Sequence, residues 1–174
     1  MRERDNGIPR ESSSEGGHAG VAWSFVAVQV VLLVAFVVTP RGDDWARTRW
    51  LNAAGLAAMA FGVTLGLWSA LRLGRGLTPS PLPNGAVDLV TRGPYRWVRH
   101  PMYTAVILIV AGVAIRSASV LVAAEAVALA VLFNVKARWE ERRLVETFPS
   151  YRDYRKSTGR FLPARHARRR RTGG

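Results

Sequence analysis

Three apolar blocks, Val21–Thr39, Trp50–Leu71 and Met102–Val135, constrain what this chain can fold into more than any other feature. A helix needs about 20 apolar residues to cross the hydrocarbon core of a bilayer, and it satisfies its interior backbone polar groups without water. The first two blocks have that length. The third is too long for one crossing and is interrupted at Arg116–Ser117, so it reads as a hairpin with arms at 102–115 and 118–135. The expected fold class is therefore all-α, an integral membrane bundle of about four transmembrane helices with spans near 21–39, 50–71, 102–115 and 118–135. At about 1.5 Å per residue the first hairpin arm reaches only roughly 21 Å. It must tilt, thin the bilayer or begin below the interface, which suits a cavity near one membrane face.

The distribution of charge orients the bundle. With four spans, 21 of the 25 Lys and Arg lie on one side and four on the other, against 12 Asp and Glu overall. The positive-inside rule then puts both termini in the cytoplasm, and the size and basic composition fit a bacterial inner membrane. Residues 1–20 are polar, mixed in charge and rich in Gly and Ser. Such a segment lacks the apolar surface to offset the entropy of ordering and is expected to be a disordered tail. Val21–Thr39 is too long and too far from Met1 to be the apolar core of a secretory signal. Residues 164–174 form a basic tail with the run Arg168–Arg171. Topology and anionic lipid headgroups account for such a tail, and no nucleic-acid partner is expected. Cysteine is absent, which removes disulfides, thiolate metal sites and a Cys nucleophile; no metal site is expected.

Within the spans, Trp50 and Trp68 sit near the ends of the second block, where amphipathic rings favour the interface. Gly62 and Gly66 are four apart and share a helix face; they either admit a neighbouring backbone or reflect the general frequency of glycine in membrane helices. Glu125 lies inside the fourth span, where a carboxylate is costly unless it is protonated or partnered by a hydroxyl such as Ser69 or Thr64. Its position toward the far side favours a helix-pairing role.

Residues able to do chemistry gather in two cytoplasmic segments flanking the hairpin. The first, Leu89 to Tyr103, holds Arg92-Gly93-Pro94-Tyr95-Arg96 and Arg99-His100-Pro101-Met102-Tyr103. Gly93-Pro94 signals a turn, and Pro101 suits the first turn of the third helix. His100 then stands at the helix entrance with Tyr103 one turn inside. The unpaired N–H groups there suit an anionic group, and Arg96 and Arg99 strengthen that field. The same segment also fits a membrane-surface loop of snorkelling arginines and interfacial aromatics. The second segment, Ala137 to Phe148, continues the fourth helix out of the membrane and puts Glu141, Leu144 and Phe148 on one face. Glu140 and Glu141 beside Arg138, Arg142 and Arg143 read by composition as a solvated, ion-paired face. The hairpin nevertheless returns them to the side where His100 begins its helix, so Glu140 or Glu141 can meet His100 and Tyr103 around one pocket.

These strings, followed by Tyr151, Tyr154 and Arg160-Phe161-Leu162-Pro163, resemble the isoprenylcysteine carboxyl methyltransferase family and its phospholipid methyltransferase relatives over roughly residues 85–163. The resemblance implies a pocket for S-adenosyl-L-methionine on the cytoplasmic side, closed by the C-terminal helical segment. It implies that His100 and Tyr103, with Arg99 and Tyr95, contact the cofactor and that Glu140 or Glu141 holds its ribose or amino group. Arg160 would approach a lipid-like or isoprenoid acceptor, making Arg160 and Glu141 the expected catalytic residues. Ala105 and Pro149 replace glycines frequent in the family; Ala105 would narrow the pocket mouth and Pro149 would alter the turn before Tyr151. Methyl transfer from a sulfonium needs mainly alignment and exclusion of water. A carboxylate acceptor would want Arg160 to orient it, and an amine would want Glu141 or His100 as base. Arg-His-Pro-x-Tyr also occurs in membrane sterol reductases, so an NADPH-dependent oxidoreductase is an alternative, as is a noncatalytic membrane protein. Four spans in 174 residues leave little room for the reductase bundle.

Overall fold

The computed structural model describes residues 12–74 and 89–164, so residues 1–11 of the expected N-terminal tail and the Arg168–Arg171 run lie outside the described residues. The described residues form α1 (Ser12–Val38), α2 (Arg49–Leu73), α3 (Pro101–Ser117), α4 (Val120–Thr147) and α5 (Tyr151–Ser157), with a 3₁₀ turn at Gly93–Arg96. Among these residues there is no strand, only an isolated parallel bridge between Val98 and Gly159. The all-α class is as expected. Three helices are long and apolar enough to cross a membrane, α1 from Ala19, α2 and α4, while α3 is apolar but shorter. Its 17 residues reach roughly 26 Å.

Two boundaries differ from the sequence expectation. α1 starts at Ser12, inside the segment expected to be disordered. Once Val21–Val38 is helical, each residue added at its end gains a hydrogen bond without a new nucleation cost. The hairpin turns at Ala118, whose φ of 50° is left-handed, so Arg116 and Ser117 finish α3 instead of breaking the apolar stretch. Ser119 then caps α4, accepting a hydrogen bond from the Val122 N–H.

The outward faces of the long helices are apolar and exposed, for example Val31, Val37, Phe61, Leu71 and Val127, as expected of surfaces that meet lipid. The interior is formed by Phe36 from α1, Val110 and Ala114 from α3, and Val122, Ala126, Leu129 and Phe133 from α4. α2 and α3 touch backbone to backbone. A Cβ at Gly112 would lie 2.4 Å from the Gly55 carbonyl oxygen, and one at Gly62 would lie 2.8 Å from that of Ala105. Gly62 thus carries the close approach foreseen for the Gly62/Gly66 pair, whereas a Cβ at Gly66 would meet only ordinary contact. Ala105 is buried in this seam, bordering an apolar cleft of about 290 Å³ between α2 and α3.

At one end of the bundle the α1–α2 connection is pinned over the hairpin turn. Gly42 N–H donates to the Ser117 carbonyl at 3.1 Å, Asp44 N–H to that of Ala118 at 2.9 Å, and Val120 N–H to the Asp44 carboxylate at 2.7 Å. Glu125 takes its hydrogen bond from Thr39 Oγ1 at 2.7 Å. Neither Ser69 nor Thr64 serves it, because both hydroxyls donate to carbonyls one turn back in α2. Glu125 therefore ties α4 to the end of α1.

Candidate functional site

At the opposite end, α3 begins, α4 leaves its apolar stretch, and the chain after α5 comes back between them. That return is fixed by backbone bonds: Arg99 N–H donates to the Gly159 carbonyl at 2.8 Å and His100 N–H to that of Arg160 at 3.1 Å. His100 is the N-cap of α3, followed by Pro101, whose fixed φ and missing N–H suit the first helical position. The motif turn is braced from α2 by Trp97, whose ring meets that of Trp68 edge to face at 5.4 Å.

Glu141 is the hub of the cluster. It is 3% exposed and accepts hydrogen bonds from two guanidinium groups. Arg99 reaches Oε1 with Nε at 3.1 Å and Nη2 at 3.0 Å. Arg160 spans both oxygens, Nε to Oε1 at 2.9 Å and Nη2 to Oε2 at 2.8 Å. The remaining donors continue the clamp: Arg99 Nη1 binds the carbonyls of Arg155 and Thr158, and Arg160 Nη1 binds Asn134 Oδ1 at 2.9 Å. The hydrogen bond to Glu141 holds the Arg160 guanidinium above its ordinary pKa, so its charge is permanent. Two cations sharing one buried carboxylate tie the C-terminal segment to α3 and α4 together.

Glu140 heads a second, less crowded group. Its Oε1 accepts from the Tyr103 hydroxyl at 2.5 Å, and its Oε2 lies 3.6 Å from His100 Nδ1. The rings of His100 and Tyr103 stack in parallel with centroids 5.4 Å apart, and Phe133 closes the other flank of Tyr103 at 4.9 Å. His100 Nε2 is buried and has no hydrogen-bond partner; Glu141 Oε1 is 3.3 Å away but poorly aligned and already bonded to both arginines. Lys136, 5% exposed, donates to Gln29 Oε1 on α1 at 3.1 Å and holds its ammonium 5.4 Å from the centre of the Tyr103 ring.

The structure thus brings His100, Tyr103, Arg99, Glu140, Glu141 and Arg160 into one cluster. Tyr95 sits behind it: burial pushes its phenol up to about 12, and its carbonyl accepts from the Tyr154 hydroxyl. Burial also pushes Tyr151 up; its hydroxyl is enclosed without a partner. Three details depart from expectation. Arg160 commits three of its five N–H donors to Glu141 and Asn134, an internal engagement the sequence does not foresee. Arg96 is exposed and lies over the Trp97 ring. Phe148 follows the last turn of α4 as its cap instead of extending the Glu141 face. The sequence reading missed Asn134 and Lys136. Their spacing from Glu141 and Glu140 on α4 was the available signal, masked by the apolar residues around them.

Among the described residues, no group of three or more His, Cys, Asp or Glu side chains is arranged to hold a metal ion. Three curated relatives are each 33% identical to this chain. The nickel-cobalt-cadmium resistance protein NccN of Alcaligenes xylosoxydans xylosoxydans aligns over 79% of this chain and 62% of its own length. The cobalt-zinc-cadmium resistance protein CzcN of Cupriavidus metallidurans aligns over 66% of this chain and 51% of its own length. The uncharacterized protein YpbQ of Bacillus subtilis aligns over 83% of this chain and 86% of its own length. The chain therefore spans between half and two thirds of the first two and most of the third. The family profile described as phospholipid methyltransferase matches residues 50–150, a stretch that includes α2, the His100-Pro101 helix start, Tyr103 and the Glu140-Glu141 pair. The chain is a membrane protein of the phospholipid methyltransferase family.

Proposed function

We propose that this protein is an S-adenosyl-L-methionine-dependent methyltransferase acting on a lipid-like acceptor, with its site at the cytoplasmic face of a bacterial inner membrane. The observation that carries the reading is His100 at the start of α3, its ring stacked on Tyr103, its Nδ1 3.6 Å from Glu140 and its buried Nε2 without a hydrogen-bond partner, 3.3 Å from Glu141 Oε1. A buried polar atom without a partner is costly unless a ligand supplies one. The residue types fit the cofactor: a carboxylate for ribose hydroxyls or an ammonium, an imidazole for a further polar contact, and aromatic faces that tolerate a cation. His100, Tyr103 and Glu140 would hold it. When bound, S-adenosyl-L-methionine supplies an electrophilic methyl group on a sulfonium.

The protein's own part is positioning. Glu141, Arg99 and Arg160 act as positioning residues, fixing the C-terminal segment across the site and excluding water. Through its bonds to Glu141 and Asn134, Arg160 supports the shape of the site. A carboxylate acceptor needs no base. An amine must lose a proton, and the unpartnered His100 Nε2 is the group placed to take it. The lateral approach of the acceptor from lipid follows from the site's position where α4 leaves its apolar stretch.

Calorimetric titration of S-adenosylhomocysteine and NADPH into the detergent-purified protein tests the reading. The expected result is saturable binding of S-adenosylhomocysteine and none of NADPH. The reverse pattern sends the assignment to a reductase.

A further inference from the structure

One buried charged residue of the cluster, Lys136, lies outside the recognised motifs. Lys136 stands one turn before Glu140 on α4, at the membrane side of the cluster, and its ammonium is almost fully enclosed. Burying such a charge is costly unless an anion offsets it. Its partners are instead neutral: the Gln29 amide oxygen and the face of the Tyr103 ring. Among the described residues no carboxylate comes within ion-pair distance of Lys136 Nζ, and both carboxylates of the cluster have other hydrogen-bond donors. Glu141 is taken up by the two arginines and Glu140 by the Tyr103 hydroxyl, so neither carboxylate makes a direct ion pair with the Lys136 ammonium.

We propose that Lys136 recognises the reacting end of the acceptor and selects a lipid bearing an ionised oxygen, a carboxylate or an acidic hydroxyl, over one bearing an amine. An incoming oxyanion would take the hydrogen bond now accepted by Gln29 and convert it into a charge-assisted pair. The same lysine disfavours a lipid ammonium by placing like charge against it. Tyr103 separates the two contacts: its ring meets both the Lys136 ammonium and the His100 imidazole, so an acceptor held at Lys136 lies next to the proposed cofactor residues. An oxyanion arrives without a proton to remove, so it asks no base of the cluster. The proposal rests on the methyltransferase reading for the reaction, but the binding preference stands on Lys136 alone.

The test is equilibrium partitioning of two probes of equal tail length, decanoate and decylamine, into nanodiscs holding the full chain, with empty nanodiscs subtracted. Wild type, Lys136→Met and Lys136→Arg are compared, with melting temperature as the fold control and S-adenosylhomocysteine binding measured separately on wild type. Wild type is expected to hold decanoate at least about tenfold more tightly than decylamine, a modest demand on one charge-assisted contact. Lys136→Met should erase that preference and Lys136→Arg should keep it. Equal retention of both probes by wild type, or a preference unchanged in folded Lys136→Met, overturns the proposal. A Lys136-dependent preference in a protein that fails to bind S-adenosylhomocysteine supports the anion site and overturns the methyltransferase reading alone.

Discussion

Glu141→Ala should release the C-terminal segment and lower the melting temperature of the detergent-purified protein by about 6–20 °C, the equivalent of roughly 3–5 kcal/mol. The magnitude follows from what the carboxylate does. Arg99 and Arg160 both bind it, and its removal leaves two partly or fully enclosed guanidinium groups facing each other without an anion. Their repulsion acts on the strand-like contact in which Gly159 and Arg160 accept hydrogen bonds from Arg99 and His100. Limited trypsin digestion should therefore cut at Arg155, Lys156 and Arg160 well before the rest of the described chain. Glu141→Gln keeps the shape and some hydrogen bonding without the charge, and its melting temperature should fall between the two. A Glu141→Ala protein that melts with wild type and stays protected at Arg160 would show that the clamp does not hold the segment.

The second large effect separates binding from folding. Glu140→Ala should weaken S-adenosylhomocysteine by about 10–100-fold, the loss expected for one hydrogen bond to a charged group, while shifting the melting temperature far less than Glu141→Ala. Glu140 is bonded to the Tyr103 hydroxyl and near His100 Nδ1, a link between α4 and α3 that does not hold the C-terminal segment. Tyr103→Phe removes the same internal hydrogen bond and keeps the carboxylate, so it should retain most of the affinity. Equal losses in the two variants would mean that the Tyr103–Glu140 contact matters to the shape of the site and that Glu140 does not touch the ligand.

The long helices were legible because a bilayer imposes a length and an apolar composition on anything that crosses it, and Val21–Thr39 and Trp50–Leu71 meet both. The hairpin was legible from its polar interruption, although the turn itself falls at Ala118, where the left-handed residue cannot be told from its neighbours by type. The helical start of α1 was not legible, since it depends on propagation from the span and Ser12–Gly20 has little apolar pattern of its own. In the site, His100 and Tyr103 were placed by the Pro101 helix start, and the Glu140–Glu141 pair by the return of the hairpin. What could not be read was the division of labour. Glu140 and Glu141 are chain neighbours of the same type, yet one is saturated by arginines and the other faces His100 and Tyr103. That difference is set by Arg99 and Arg160, which lie on separate segments. Lys136 escaped for a related reason: a lysine at the end of an apolar helix ordinarily extends to the interface, and only the packing of Gln29 and Tyr103 shows it enclosed. Glu125 was recognised as needing a partner, but Thr39 lies at the end of a different helix, a non-local contact that spacing does not encode.

The most direct test of the central claim is transfer of a tritium-labelled methyl group from S-adenosyl-L-methionine to lipid extracted from bacterial membranes, by the purified protein in nanodiscs. The account predicts an organic-soluble labelled product made by wild type and by Arg138→Ala, an α4 variant outside the described cluster, and absent with folded His100→Ala. No labelled product from wild type that binds S-adenosylhomocysteine, or undiminished product from His100→Ala, would contradict it.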